Sequence, residues 1–256
     1  MRLSDRVYVV TGAGGGIGQG ATRALLEEGA RGVAMVDLTA PSEAASQVDP
    51  EGRRTLALSA DVTSEDDAQS VVADSVKRFG RLDGVVNCAG VVFLDTAWEA
   101  SASDWNRQLE VNVTGSFVFA RAVGAHLREH GGGAVVNVSS NCGKVGYPNM
   151  AAYNASKAAV MGLTRSLSME WATDGINVNA VCPGGVDTRM LVGVADWLSP
   201  RLGVPAEDLL GQMGPSQLGR RIAPLEVGRV IAFLLSDEAL IIRGQSISID
   251  GGDTPY

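Results

Sequence analysis

A doubly wound α/β fold, one parallel sheet of seven strands with helices on both faces, is what this 256-residue sequence predicts. Three observations predict it. Seven short apolar runs recur along the chain, helical patterns separate most of them, and a glycine-rich turn follows the first run. Continuous apolar runs suit strands buried on both faces, and strand-helix alternation is the pattern of parallel βαβ units. An apolar content of 45% is enough to fill the core of a single domain spanning residues 1–256.

In chain order the strands are read at residues 7–10, 33–36, 55–58, 84–86, 134–138, 176–181 and 246–249. Helical patterns cover 18–28, 64–79, 104–129, 151–171 and 225–235, with Ser64 and Ser103 placed to cap two of them. The rhythm stops over 189–223, which is too long for an ordinary connection. That stretch follows the carboxyl end of a strand, where open α/β sheets bind ligands, so it is read as a substrate lid. Met190, Leu191, Val192, Val194, Trp197 and Leu198 give the lid a partly apolar character.

Twenty-nine acidic against 21 basic residues leave a net charge of −8, a field that repels nucleic acid and anionic membrane. The expected partners are a small molecule or another copy of the chain. Cys88, Cys142 and Cys182 are widely spaced and odd in number, which argues against a disulfide framework or a structural zinc site and suits a reducing cytoplasm. Residues 1–6 lack the pattern of a secretion signal, and no apolar stretch approaches the roughly 18 residues of a membrane span. A soluble cytoplasmic protein without a metal is the expectation.

Thr11-Gly12-Ala13-Gly14-Gly15-Gly16-Ile17-Gly18 lies between the first strand and the first helix. Glycines there let the backbone approach a pyrophosphate, and the helix amino terminus offers N–H donors and a positive dipole end. Asp37 ends the second strand, where a carboxylate can accept hydrogen bonds from an adenosine ribose. Its charge would repel the extra phosphate of NADP, and neighbouring Leu38 and Thr39 offer no compensating base, so NAD is the predicted cofactor. The alternative is a plain strand-end turn.

Tyr153 and Lys157 stand four residues apart near the start of a helical pattern, so they share a helix face. A phenol is a poor base at neutral pH, but a nearby ammonium stabilises the phenolate, and the pair can act as one acid-base device. The alternative is a packed tyrosine beside a solvated lysine. Only three of the 21 basic residues are lysines, Lys77, Lys144 and Lys157, so a lysine at 157 points to a need for a compact ammonium.

With these residues the chain resembles the short, single-domain branch of the short-chain dehydrogenase/reductase family, whose fold is a Rossmann-type sheet. Thr11, Gly12, Gly16 and Gly18 match its T-G-x-x-x-G-x-G pattern, and Tyr153 with Lys157 matches Y-x-x-x-K. Ser140, thirteen residues before the tyrosine, matches the catalytic serine, with Ser139 as the adjacent competitor. Asn112 matches the helix asparagine, Asp61-Val62 the pair after strand three, and Pro183, Gly184, Val186 and Thr188 the pattern after strand six. Asn87-Cys88-Ala89-Gly90 keeps three positions of N-N-A-G and departs at Cys88. Gly185 replaces a bulkier residue and is expected to open or loosen the substrate pocket.

The resemblance implies an NAD-dependent oxidoreductase that interconverts a secondary alcohol and its ketone by hydride transfer. Tyr153 would exchange a proton with the substrate oxygen, Ser140 would fix that oxygen, and Lys157 would lower the tyrosine pKa and bind the nicotinamide ribose. Asn112 would hold a water continuing the proton path. Cofactor contacts would come from Gly12, Gly16, Ile17 and Gly18 of the turn, and from Asp37, Leu38, Asp61 and Val62. Asn87, Ala89, Gly90, Pro183, Gly184, Val186 and Thr188 would complete them, with Thr188 on the carboxamide. Alternatives are an NADPH-dependent 3-oxoacyl-type ketoreductase, which Asp37 opposes, and a dinucleotide-sensing regulator without turnover.

His126 and His130, i and i+4, are read as a solvated helix end, the three cysteines as small buried hydrophobes, and Tyr147, Met150, Trp98 and Trp197 as pocket, core or interface residues. The apolar faces of 104–129 and 151–171 imply, by the same resemblance, a homotetramer, with a dimer second and the tail 249–256 at an interface.

Overall fold

Successive residues of each central strand face opposite sides of the sheet and are buried on both. In β1 (Val7–Thr11) Val7 and Val9 join one core while Tyr8 and Val10 join the other. The computed structural model describes residues 1–254. Its sheet has seven strands, all paired in parallel, in the order β3-β2-β1-β4-β5-β6-β7. The others are β2 (Gly32–Asp37), β3 (Thr55–Ser59), β4 (Gly84–Asn87), β5 (Gly133–Val138), β6 (Ile176–Pro183) and β7 (Ser246–Ile249). All seven expected strands are present, and the order reverses between β1 and β4, which opens a crevice at their carboxyl ends.

On one face pack α1 (Gly16–Glu27), α2 (Ser42–Val48) and α9 (Pro224–Leu234); on the other, α3 (Glu65–Phe79), α5 (Gly115–Glu129) and α6 (Ala151–Glu170). α3 begins at Ser64, whose hydroxyl accepts the Asp67 N–H, carries three acidic residues in its first turn, and stops at Gly80 in the left-handed region, φ 83°. Helix α2 has no counterpart in the sequence reading. It buries only Ala44 and Ala45, too few apolar positions to mark a stripe.

Two expectations need correction. The helix read over 104–129 is three pieces: α4 (Ala102–Leu109), a wide π turn (Glu110–Thr114) and α5. It is capped by Ser101 instead of Ser103, the Ser101 hydroxyl accepting the Asp104 N–H at 3.0 Å. The sequence reading places no helix in the stretch 189–223. That stretch holds α7 (Arg189–Leu202) and α8 (Ala206–Gln212), the first capped by Thr188 and carrying Pro200 near its end. Among the described residues no helix is long and apolar enough to cross a membrane.

Candidate active site

The glycine-rich turn is held in place from below by Thr11. Its hydroxyl accepts the Cys88 and Ala89 N–H groups at 3.0 and 3.1 Å, tying the end of β1 to the exit of β4. Gly12 adopts φ +64°, and a side-chain carbon there would lie 2.8 Å from the Ala89 backbone, so only glycine fits. At Gly15 nothing lies within 4 Å of such a carbon, and no side chain caps α1. The turn is therefore open on the side where the first N–H groups of α1 emerge, a cradle that suits a pyrophosphate. Ile17 is half-buried against the core, and Gly18 lies against the Gly12 carbonyl.

Asp37 sits at the edge of this turn. Its Oδ2 accepts the Gly14 N–H at 2.9 Å and its Oδ1 the Leu38 N–H at 2.9 Å, while the Leu38 side chain is exposed. Asp61 accepts two hydrogen bonds from Thr63, which hold its carboxyl below the usual carboxylate range, and Val62 is buried against Gly115. Thr188 reaches the turn from the other side, its methyl 3.1 Å from where a Gly16 side chain would begin. Pro183 and Val186 are buried, and Gly184 lies against Asp250. The Asn87 amide points inward, donating to Asn137 Oδ1 at 2.8 Å and the Ser116 carbonyl at 3.1 Å. Its side chain is an internal tie between β4, β5 and α5, so any reach toward a cofactor falls to its backbone.

Lys157 is buried one turn after half-buried Tyr153 on α6. Its ammonium donates to the Val138 carbonyl at 3.0 Å and lies 5.5 Å from the centre of the Tyr153 ring. Gly90 closes the same corner: a carbon added to it would lie 3.2 Å from Asn112 Oδ1 and 3.4 Å from Lys157 Nζ. Three chain segments thus meet at one point. Ser140 is buried at the end of β5, beside the Tyr153 phenol. Ser139, the competitor, faces elsewhere, donating to the Lys157 carbonyl at 2.8 Å.

Burial pushes the Tyr153 phenol well above the ordinary tyrosine range, and the neighbouring Ser140 offsets only part of that. Burial pulls Lys157 down. The expected lowering of Tyr153 by Lys157 is therefore absent from this arrangement. Desolvation of the phenolate outweighs an ammonium whose proton is directed at a backbone carbonyl.

Asn112 lies in the π turn, a helix defect common at functional sites. Its amide exchanges two hydrogen bonds with Val91 and donates to Ser156 Oγ at 3.0 Å, so the side chain is committed to protein partners. A water held at this residue would have to use the main-chain carbonyl, which already accepts the Ser116 hydroxyl. Ser156, which anchors Asn112, carries no sequence signal that distinguishes it.

Cys88 and Cys142 are half-buried and Cys182 is buried, with burial raising all three thiols, Cys88 to about 12. They stay protonated and are poor nucleophiles. Gly185 does not open a pocket. A carbon on it would lie 1.8 Å from the Met213 carbonyl, so the chain returning from α8 occupies that space. Trp98 projects into solvent, Tyr147 is partly exposed, Met150 precedes α6, and Trp197 is half-buried beneath the Arg201 guanidinium. His126 and His130 stack at 4.0 Å at the end of α5. No group of three or more metal-ligating side chains occurs among the described residues. Of the tail, Asp250 is buried and binds Thr254; residues 255 and 256 lie outside the described residues.

A family model described as enoyl-(acyl carrier protein) reductase matches residues 12–254. The chain is 36% identical over 253 residues to NAD-dependent glycerol dehydrogenase of Listeria innocua serovar 6a, covering 98% of this chain and 95% of that protein. It is 37% identical over 255 residues to D-threitol dehydrogenase of Mycolicibacterium smegmatis, covering 99% and 94%. Among solved structures, a variant of actinorhodin polyketide ketoreductase with NADPH superimposes with a TM-score of 0.92 at 32% identity, covering 98% of each chain.

Proposed function

Because the chain belongs to the short-chain dehydrogenase/reductase family, we propose that it is an NAD-dependent oxidoreductase interconverting a secondary alcohol and its ketone, with Tyr153 as the proton-exchanging group. The convergence of Tyr153, Ser140, Lys157 and Asn112 at the carboxyl end of the sheet carries this reading. When bound, the nicotinamide supplies the hydride acceptor or donor.

The residues of the chain divide the remaining work. In the oxidising direction Tyr153 takes the proton of the alcohol oxygen, and in the reducing direction it gives one back. Ser140 holds the same oxygen within reach of the phenol. Lys157 places a positive charge against the ring face and a donor at the cofactor's ribose. The open turn from Gly12 to Gly18 takes the pyrophosphate, Thr188 the carboxamide, and Asp61 with Val62 the adenine.

Asp37 favours NAD over NADP. Its carboxylate sits at the second-strand end with exposed, uncharged Leu38 beside it, so a ribose phosphate would meet negative charge without a paired base. The NADPH-bound neighbour keeps the ketoreductase reading as the second one. A homotetramer is the assembly proposed, with a cytoplasmic location; size exclusion with light scattering showing a single-chain species would overturn the assembly.

The test is a panel of secondary alcohols, polyols and cyclic alcohols included, offered with NAD and with NADP while reduced nicotinamide is followed by absorbance. Turnover with NAD is expected. Tight NAD binding with no turnover of any alcohol would favour a sensor.

A further inference from the structure

Next to Ser140 runs a chain of hydrogen bonds that the reaction as described leaves unused. Ser140 Oγ donates to Asn141 Oδ1 at 3.2 Å, and the Asn141 amide nitrogen donates to the Tyr147 hydroxyl at 3.1 Å. The loop bearing Tyr147 is tied to the first turn of α6 by Asn154, which donates to the Tyr147 carbonyl at 2.9 Å. Asn141 is buried, whereas Tyr147 is 39% exposed, so the chain runs from the site to the surface. The short turn carrying Asn141 is packed tightly against α6. Its backbone at Gly143 lies so close to α6 that an added carbon would sit 2.8 Å from the Lys157 backbone.

A serine hydroxyl has one proton and two acceptor positions. Here the proton goes to Asn141, and one lone pair takes the Cys142 N–H at 3.1 Å. One lone pair remains. Ser140 can then donate to a substrate oxygen only by releasing Asn141. A neutral amide at 3.2 Å is a weak partner and releases easily; a carboxylate in its place would not.

We propose that Asn141 is a positioning residue: it holds the Ser140 proton until a substrate oxygen claims it, and is itself oriented by the Tyr147 hydroxyl. The proposal rests on the alcohol-oxidation reading of the same site. The groups that act on Tyr153 are Ser140 after β5, Cys142 on the short turn, Cys88 at the end of β4 and Lys157 on α6. None of these is altered by the substitutions below.

The experiment is a double-mutant cycle on the enzyme with its best alcohol, using Asn141→Ala, Tyr147→Phe and both together, with Asn141→Asp as a fourth variant. Asn141→Ala should lower kcat about tenfold and Tyr147→Phe about threefold, with the KM for NAD unchanged. The double variant should be no slower than Asn141→Ala, because Tyr147 acts through Asn141. Asn141→Asp should move the rise of kcat with pH to more alkaline values, since a carboxylate beside Ser140 disfavours the phenolate. Effects that multiply in the double variant would overturn the proposal, as would an Asn141→Asp profile matching the parent. Tyr147 is partly exposed and its phenylalanine variant is the safest to fold, so a parent-like kcat for Tyr147→Phe alone would also overturn it. A parent enzyme that turns over no alcohol defeats the functional reading and this proposal together. An active parent with multiplying effects defeats only the proposal.

Discussion

The Asp37 carboxylate and the Gly14 N–H are joined by a 2.9 Å hydrogen bond, and a side chain on Gly14 would begin 2.8 Å from that carboxylate oxygen. The acid at the end of β2 and the bare backbone of the phosphate turn are therefore one unit. Replacing Asp37 by Ala and Leu38 by Arg removes the repulsion of a ribose phosphate and adds a cation at an exposed position. The ratio of kcat/KM for NAD to that for NADP should fall by about 100-fold or more, close to 3 kcal/mol of discrimination. An unchanged ratio would remove Asp37 from cofactor selection.

Tyr153 sets the sign of the pH dependence. Oxidation needs the phenolate, and burial holds the phenol above its ordinary range, so at neutral pH the reactive form is the minor one. The kcat/KM for alcohol oxidation should rise with pH by up to about tenfold per unit, while ketone reduction, which needs the protonated phenol, should not rise. Tyr153→Phe should cost about a thousandfold or more in kcat, consistent with losing a general acid-base group, with the melting temperature nearly kept. Retention of turnover in that variant would show that the proton goes elsewhere.

The two adjacent serines should separate by what they lose. Ser139 donates to the Lys157 carbonyl inside the core, so Ser139→Ala should cost about 1–2 kcal/mol of stability and comparatively little rate. Ser140 faces Tyr153, so Ser140→Ala should lower kcat by about 100-fold with a smaller change in melting temperature. Thermal unfolding and steady-state kinetics on both variants decide it; a larger rate loss at Ser139 would reverse the assignment.

The sheet was readable because strands such as those holding 7–10 and 33–36 are buried on both faces and so are written as unbroken apolar runs. The spacing of Tyr153 and Lys157 was readable because a helix repeats on a fixed period. What the sequence concealed has two sources. The π turn around Asn112 adds one residue to a helix without changing its composition, and α2 buries only two alanines, so neither disturbs a periodic pattern. The balance at Tyr153 depends on depth of burial, and the contact at Gly185 on a carbonyl 28 positions away in the chain, quantities that no local spacing encodes.

Gly185 shows how such a long-range contact constrains residues 189–223, the segment read from the sequence as a lid. The base of the lid is closed by pairing of its two ends: Ile222 N–H donates to the Gly185 carbonyl and Asp187 N–H to the Ile222 carbonyl, both at 2.9 Å, with Val186 and Ile222 bridged in parallel. The Met213 carbonyl fills the space where residue 185 would carry its side chain. A methyl group there overlaps a backbone atom, which cannot swing aside as a flexible side chain can, so the returning segment must move as a whole. Gly185→Ala should therefore cost about 1–3 kcal/mol of stability and raise the KM for the alcohol, and it should also weaken NAD binding, because Thr188 on the same segment lies against the Gly16 turn. Calorimetric melting and separate titrations of alcohol and NAD test this. An alanine variant with parent melting temperature and parent alcohol KM would mean that the lid does not rest on Gly185.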